Sequence, residues 1–208
     1  VHSVGFFWTP IWGSDIEDAQ DSYSEGSAGC LEKTFYPTGT ANYNINYREN
    51  GKLDIGYQYT SYSEHGDYTF REWDNNKQAF FNRDDLYAPF FYRRQIHSAY
   101  AMLTDQFGPV AVEAGVRADH TIDHMDIEVQ NPNNRYRYIK RTELFPSAHI
   151  SYAAPGNNVI SAGYSYRTSR PGIWQLEPYI TYEDYYTMKT GNPDINPEYI
   201  HSAEIGYR

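Results

Sequence analysis

The sequence predicts an all-β protein, an antiparallel transmembrane β-barrel wall of about eight strands, on three observations. Hydrophobic and polar residues alternate over many stretches, short and long connections succeed one another strictly, and tyrosine is abundant. Alternation with a period of two is typical of a strand whose two faces meet different surroundings. One of those surroundings can be lipid and the other a polar lumen.

Residues 41–60, ANYNINYRENGKLDIGYQYT, are predicted to form a hairpin. Up to Tyr47 the odd positions carry Ala, Tyr and Ile, whereas the even positions carry Asn. The pair Asn50-Gly51 favours a tight turn, because both residues tolerate a positive φ. We expect the Tyr-Ile face to meet lipid and the Asn-Lys-Asp face to line the lumen.

The other strands follow the same pattern, most clearly from residue 110 onward. Val110, Val112 and Ala114 occupy even positions there, while Glu113 and Arg117 occupy odd ones. We expect the even positions of this strand to face lipid. Strands are predicted at residues 1–8, 41–49, 52–62, 89–105, 110–128, 138–152, 159–168 and 198–208.

The connections between these strands differ in length in a regular way. Short turns are predicted near residues 50, 108 and 156, and long connections at 10–40, 63–88, 129–137 and 169–197. The 63–88 connection has room for a hairpin of its own. Outer-membrane barrels have short periplasmic turns and long extracellular loops, and the succession of lengths fits that architecture.

Composition narrows the class of protein. No apolar run approaches the roughly 18 residues of a membrane helix, and the chain is only 40% hydrophobic. The 22 Tyr, 10 Phe and 4 Trp suit a membrane interface, although carbohydrate-binding sheets collect aromatic residues too. A net charge of -10 argues against a nucleic-acid partner, and the single cysteine excludes an intrachain disulfide.

Three stretches near the end carry a family resemblance: LFPSAHISY at 144–152, SAGYSYRTSRPGIWQLEPY at 161–179 and GNPDINPEYIHSAEIGY at 191–207. Their order and spacing resemble the barrel of TonB-dependent outer-membrane receptors, in the Bacteroidetes outer-membrane β-barrel family. The resemblance is specific over residues 140–208 and weaker over 41–140.

The resemblance implies a nutrient importer in the outer membrane of a Gram-negative bacterium. Its cargo would be a glycan, a peptide or a metal chelate, its partners outer-membrane lipid and the energy-coupling protein TonB acting on a plug, with a surface lipoprotein as a possible further partner. By the same resemblance residues 1–208 are expected to be part of one barrel domain, a segment of about eight strands of a larger barrel, without the plug or the closing strand. No cofactor is expected.

Aromatic residues of the 169–197 connection are the candidate ligand contacts, because their rings offer stacking surface. An aromatic belt or packing between loops is the alternative reading of the same residues. The candidates are Trp174, Tyr179, Tyr182, Tyr185 and Tyr186.

The run DHTIDHMDIE at 119–128 invites a metal site, but its spacing argues against one. His120 and His124 lie about 13 Å apart on a strand, too far to share an ion. A polar strand end above the membrane explains the run, so no metal site is predicted.

Enzymatic activity is not expected either, since no nucleophile elbow, phosphate loop or zinc motif occurs. Two alternatives to a receptor remain open: a small non-transporting eight-stranded outer-membrane barrel, and a soluble secreted β-sandwich that binds glycans.

Overall fold

The computed structural model describes residues 3–12, 16–20, 26–74, 76–128, 136–182 and 187–208, with side chains from residue 34 onward apart from Tyr182. Two short helical turns occur there, Asp84–Leu86 and α1 at Ile173–Leu176, and neither is long and apolar enough to cross a membrane. The strands are β1 (Ser3–Trp12), β2 (Ile16–Gln20), β3 (Gly26–Arg48), β4 (Gly51–Asp74), β5 (Ala79–Asn82), β6 (Ala88–Phe107), β7 (Val110–Ile127), β8 (Tyr136–Ala154), β9 (Asn158–Ser169), β10 (Ile180–Tyr182), β11 (Met188–Thr190) and β12 (Glu198–Tyr207).

The strands form one antiparallel meander in the order β1-β3-β4-β6-β7-β8-β9-β12. β2 pairs with β3 beyond β1, and β5 pairs with the far end of β4. β10 and β11 form a separate two-stranded pair. Each strand therefore lies beside its neighbour in the sequence, as in an up-and-down barrel wall, and β1 and β12 are the two margins of the described sheet.

Most of the predicted strands are confirmed, with bounds that move by a few residues. The prediction that residues 10–40 form a long loop is wrong, because β1, β2 and β3 run through this stretch and Trp12 pairs with Phe35. β4 also continues to Asp74, and the 63–88 connection shrinks to a hairpin with β5. At these strand ends apolar and polar residues do not alternate strictly. The strands were missed for that reason, because backbone hydrogen bonds can form without the alternation.

The three short turns are confirmed, but the reason expected for the first is wrong. Neither Asn50 nor Gly51 has a positive φ, and the register shifts by a bulge between Asn46 and Arg48. A Cβ on Gly51 would lie 2.6 Å from Arg48 Cγ and 2.7 Å from the Tyr47 ring. Any larger residue at this position would force the Arg48 and Tyr47 side chains to move.

The other two short turns use left-handed backbone. Gly108 has φ +59°, and Gly156 and Asn157 have φ +83° and +66°. Two successive positive φ values are the geometry of the turn that best matches the twist of a hairpin. β8 pairs with β9 only from Ser147 onward, just after Pro146, which has no N–H to donate.

We expect Gly108→Val to destabilise the β6–β7 hairpin by about 1–2 kcal/mol, because a side chain at this φ is strained. A Cβ at Gly108 would meet nothing within 4 Å, so the effect comes from the backbone alone. Gly108→Asn is the matched control, since asparagine tolerates this region. Urea unfolding midpoints in detergent micelles measure both variants, and equal midpoints would contradict the assignment.

Candidate functional site

One face of the sheet, here called the outer face, carries an apolar band. The register pairs Leu103 with Ala114 and Ala114 with Ala148, which sets these side chains side by side. Leu144, on the same face, keeps 61% of its surface exposed. A water-soluble protein rarely exposes so large a contiguous apolar surface. The band comprises Leu53, Ile55, Ala99, Ala101, Leu103, Val110, Val112, Ala114, Val116, Ala118, Leu144, Ala148, Ile150, Ile160, Ala162, Ala203 and Ile205.

Tyrosine and histidine side chains border the band on the side of the long loops. Tyr57 Oη lies 2.6 Å from His97 Nδ1, and Tyr164 Oη lies 2.9 Å from His201 Nδ1. Aromatic girdles at both rims of an apolar band mark the two interfaces of a membrane barrel. The exposed aromatic residues at the rim near the short turns are Tyr47, Phe107, Tyr152 and Tyr207.

The opposite, inner face carries charged side chains in ion pairs. Asp119 is only 2% exposed, and it accepts hydrogen bonds from Arg117 Nε at 2.7 Å and Arg170 Nη2 at 3.1 Å. Arg170 Nη2 also donates to Glu143 at 3.1 Å, and Tyr199 donates to the same carboxylate. Because Arg117 and Arg170 lie beside the Asp119 carboxylate, the cost of removing it from water is offset.

The connection between β9 and β12, described at residues 170–182 and 187–197 and here called the β9–β12 loop, folds onto the inner face. Arg170 joins the ion pairs, and the carbonyl of Pro171 accepts a hydrogen bond from Arg94 at 3.1 Å. Arg94 is held in turn by Asp123 at 2.7 Å. Apolar side chains of the loop pack against three strands. The buried cluster contains Tyr68, Ala88, Phe90, Tyr92, Met125, Ile127, Leu176 and Tyr179.

Local hydrogen bonds shape the loop. The Gln175 side chain accepts a hydrogen bond from the Gly172 N–H at 2.9 Å, which starts the single turn of α1. Gly191 N–H donates to the Glu177 carbonyl at 2.7 Å, and Asn192 N–H to the Gln175 carbonyl at 2.7 Å. A Cβ on Gly191 would lie 2.7 Å from the Gln175 backbone, so only glycine permits this contact.

The docked loop leaves two cavities beside the inner face, at the end of the sheet that carries the long loops. One, of about 620 Å³, lies between the loop and β3, β4 and β6. The other, of about 580 Å³, lies among residues of the loop itself. Trp174 and Glu177 line both. The larger cavity is lined by Tyr36, Thr60, Tyr62, Glu64, Tyr92, Arg94, Ile96, Arg170, Gly172, Ile173, Trp174 and Glu177.

The structure describes the side chains of two of the five candidate ligand residues, Trp174 and Tyr179. Trp174 projects from α1 with 72% of its surface exposed. Tyr179 is 7% exposed and lines the smaller cavity; its ring stacks on Tyr68 at 5.7 Å between centroids. Tyr182 lies in β10 but its side chain is outside the described ones, and Tyr185 and Tyr186 lie outside the described residues.

Sequence reasoning missed the aromatic residues that the strands contribute to the larger cavity. Tyr36 and Tyr62 pack edge to face at 5.8 Å, and Tyr62 and Tyr92 at 6.1 Å. They stand on the inner face, where polar residues were expected. The sequence did carry a sign of this apolar cluster. Met125 and Ile127 occupy odd positions of β7, on the same face as Glu113 and Arg117, but they are apolar.

The acidic and histidine-rich run of β7 divides between the two faces. Asp119 and Asp123 point inward to arginines, whereas His120 and His124 lie on the outer face. His120 Nδ1 lies 2.8 Å from Thr142 Oγ1. Among the described residues no group of three or more potential ligands is placed to hold a metal ion.

The β4–β5 hairpin lies outside the apolar band of the sheet, and hydrogen bonds to its aspartate carboxylates stabilise it. Hydrogen bonds from Arg83 hold the pKa of the Asp85 carboxyl below its usual range, and the backbone N–H groups of Asn76 and Lys77 do the same for Asp74. A depressed folded-state pKa contributes stability above the unfolded pKa, and that contribution is lost as the pH falls through the folded pKa.

An apolar band outside, aromatic girdles at its rims and ion pairs inside define an integral membrane protein built on β-strands. The model of an outer membrane protein beta-barrel family matches residues 18–208, and the chain therefore belongs to this family. The outer membrane is thus its location, and the soluble sandwich is excluded. No curated protein and no solved structure matches the chain significantly.

Ala148→Arg tests the assignment of the outer face, because Ala148 lies opposite Ala114 in the third of the five rows that β7 contributes to the band. A cation in the middle of a lipid-facing band costs about 2–4 kcal/mol, so we expect strongly reduced insertion into the outer membrane. Ser147→Arg is the control, because Ser147 lies on the inner face beside Glu113, His149 and Glu204. The fraction resistant to urea extraction from membranes gives the readout, and equal tolerance of the two arginines would disprove the assignment.

Arg170→Ala is expected to detach the β9–β12 loop, because it leaves Asp119 and Glu143 buried with one cation fewer. Removing one partner of a buried pair costs about 3–5 kcal/mol. Hydrogen exchange at the amides of Gly191 and Asn192 should accelerate by at least about a hundredfold. Arg167→Ala, at an exposed position of β9, should leave these amides protected; unchanged exchange in Arg170→Ala would show that the ion pairs do not hold the loop.

Proposed function

We propose that this chain forms part of an outer-membrane receptor of the TonB-dependent type that imports a nutrient. The observation that supports it is the β9–β12 loop, which folds onto the inner face and leaves a cavity of about 620 Å³ at the outer end of the wall. A cavity of this size suits a small ligand or part of a larger one. A barrel with no ligand has no need of such a chamber.

The chemistry of the cavity suits a ligand with both flat and polar surfaces. The exposed Trp174 indole offers a stacking platform at its mouth. Glu64 and Glu177 supply acceptors, and Arg94 and Arg170 supply donors. A glycan, a peptide or a metal chelate presents groups of these kinds, so all three remain candidate cargoes. The ligand would first meet Trp174 and then the tyrosines of β3, β4 and β6.

The energy source is part of the proposal and rests on the resemblance of residues 140–208 to Bacteroidetes receptors. In such receptors of Gram-negative bacteria a plug blocks the barrel, and TonB pulls on the plug to let the cargo pass. A surface lipoprotein would act as a lid over the long loops. Import would then require the proton gradient of the inner membrane in addition to the binding site.

The alternative is a small barrel of eight strands without a transport role. In the described pairings β1 joins β3 and β12 joins β9, and β1 is not joined to β12. Lipid cannot satisfy the backbone groups of an open edge, so further pairing has to complete the wall. We favour additional strands, which would make the lumen wide enough for a plug.

Trp174→Ala should weaken nutrient binding by about tenfold, because one stacking contact is lost. Uptake of labelled oligosaccharides, peptides and iron chelates by cells would identify the cargo, and a protonophore should abolish that uptake. Tyr138→Ala, on the outer face, is the control and should bind normally. Uptake that survives the protonophore would refute the TonB-dependent mechanism.

The size of the native barrel separates the two candidates. After detergent extraction, a heat-modifiable band several times the 24.2 kDa of this chain supports the receptor. A heat-modifiable band near 24.2 kDa would instead establish the small barrel.

A further inference from the structure

The outer face carries cations beyond the girdle that borders its apolar band. Arg93 on β6 and Lys140 on β8 are both exposed. Arg93 pairs across the sheet with His124, and His124 with Tyr138. Lys140 follows two residues after Tyr138 on the same face. Arg93 and Lys140 are here called the outer cationic patch.

The patch differs in its partners from three arginines of the inner face. Arg94, Arg117 and Arg170 each form an ion pair with a carboxylate. Within the described part of the chain, no carboxylate lies within ion-pair distance of Arg93 or Lys140.

Aromatic rings hold both cations close to the sheet. The Arg93 guanidinium lies 5.3 Å from the centroid of the Phe91 ring, and Lys140 Nζ lies 5.2 Å from that of Tyr138. Such contacts steady a cation without neutralising it. The charged ends therefore remain available to an external anion.

The height of the patch places it among lipid headgroups. His97 and His120 pair in the row that borders the apolar band, and Arg93 lies four residues beyond His97, or about 13 Å along the strand. Tyr57 contacts His97 in this row, and tyrosines at the rim of an apolar band mark the level at which the acyl chains end. Asp126, one row further out beside Phe91, adds the nearest negative charge on this face of β7.

We infer that the outer cationic patch binds the phosphate of a lipid headgroup in the outer leaflet. The Cα atoms of Arg93 and Lys140 are roughly 12 Å apart across two strand spacings, so both long side chains can converge on one phosphorylated headgroup. A planar guanidinium and an ammonium both bind phosphate well. The apolar band directly beneath receives the acyl chains of the same lipid.

The test uses the full-length protein in nanodiscs of phosphatidylcholine, with and without lipid A as the phosphorylated probe. Native mass spectrometry after gentle delipidation counts the lipid A molecules that stay bound. Arg93→Gln combined with Lys140→Gln should weaken retention by about thirtyfold, since each cation near a membrane surface contributes about fivefold. Retention by the unaltered protein should also fall as salt is added.

A second double variant, Arg167→Gln with Lys77→Gln, removes the same charge from β9 and from the β4–β5 turn. It should retain lipid A like the unaltered protein. Equal loss in the two double variants would mean that only net charge matters, and full retention by the first variant would mean that the patch is not the site; either result overturns the inference. Heat-modifiability on a gel confirms that each variant is folded.

Discussion

The structure depends on the need of every backbone N–H and C=O group to be hydrogen-bonded where no water is present. Seven strand-to-strand pairings along the meander meet this need for the wall, and they fix which side chains share a face. A slip of one residue between β7 and β8 would turn Glu143 toward lipid and Leu144 toward the lumen. The register is therefore fixed by the free-energy cost of turning charged side chains toward lipid and apolar side chains toward the lumen.

The inner face shows how buried charge is used once the register is fixed. Asp119 and Glu143 lie opposite each other on β7 and β8, and two like charges so close would repel. Arg170 lies between them and comes from outside the sheet. The two carboxylates attract the Arg170 cation at the start of the β9–β12 loop, and these ion pairs hold the loop against the inner face.

The inward position of the loop connects the fold to the proposed function. Its apolar side chains complete a cluster with β4, β6 and β7, while Trp174 is left exposed at the mouth of the cavity. A rigid wall and a docked loop give a binding chamber whose shape is set before any ligand arrives. The outer cationic patch, on the other side of the same strands, would anchor that wall in the lipid around it.

The sequence by itself determined the strands whose faces meet unlike solvents, because lipid on one side and water on the other impose a period of two. The hairpin of residues 41–60 and the faces of β7, β8, β9 and β12 were predictable in this way, and the three short turns were predictable from their Gly, Asn and Pro residues. Only the tertiary structure decided the strands within residues 10–40 and the course of the β9–β12 loop. Where both faces of a strand meet water, its sequence does not need to alternate, so the strand cannot be predicted from the pattern. The docking of a loop depends on contacts between residues that are distant in the sequence, such as Asp119 and Arg170, which are 51 positions apart.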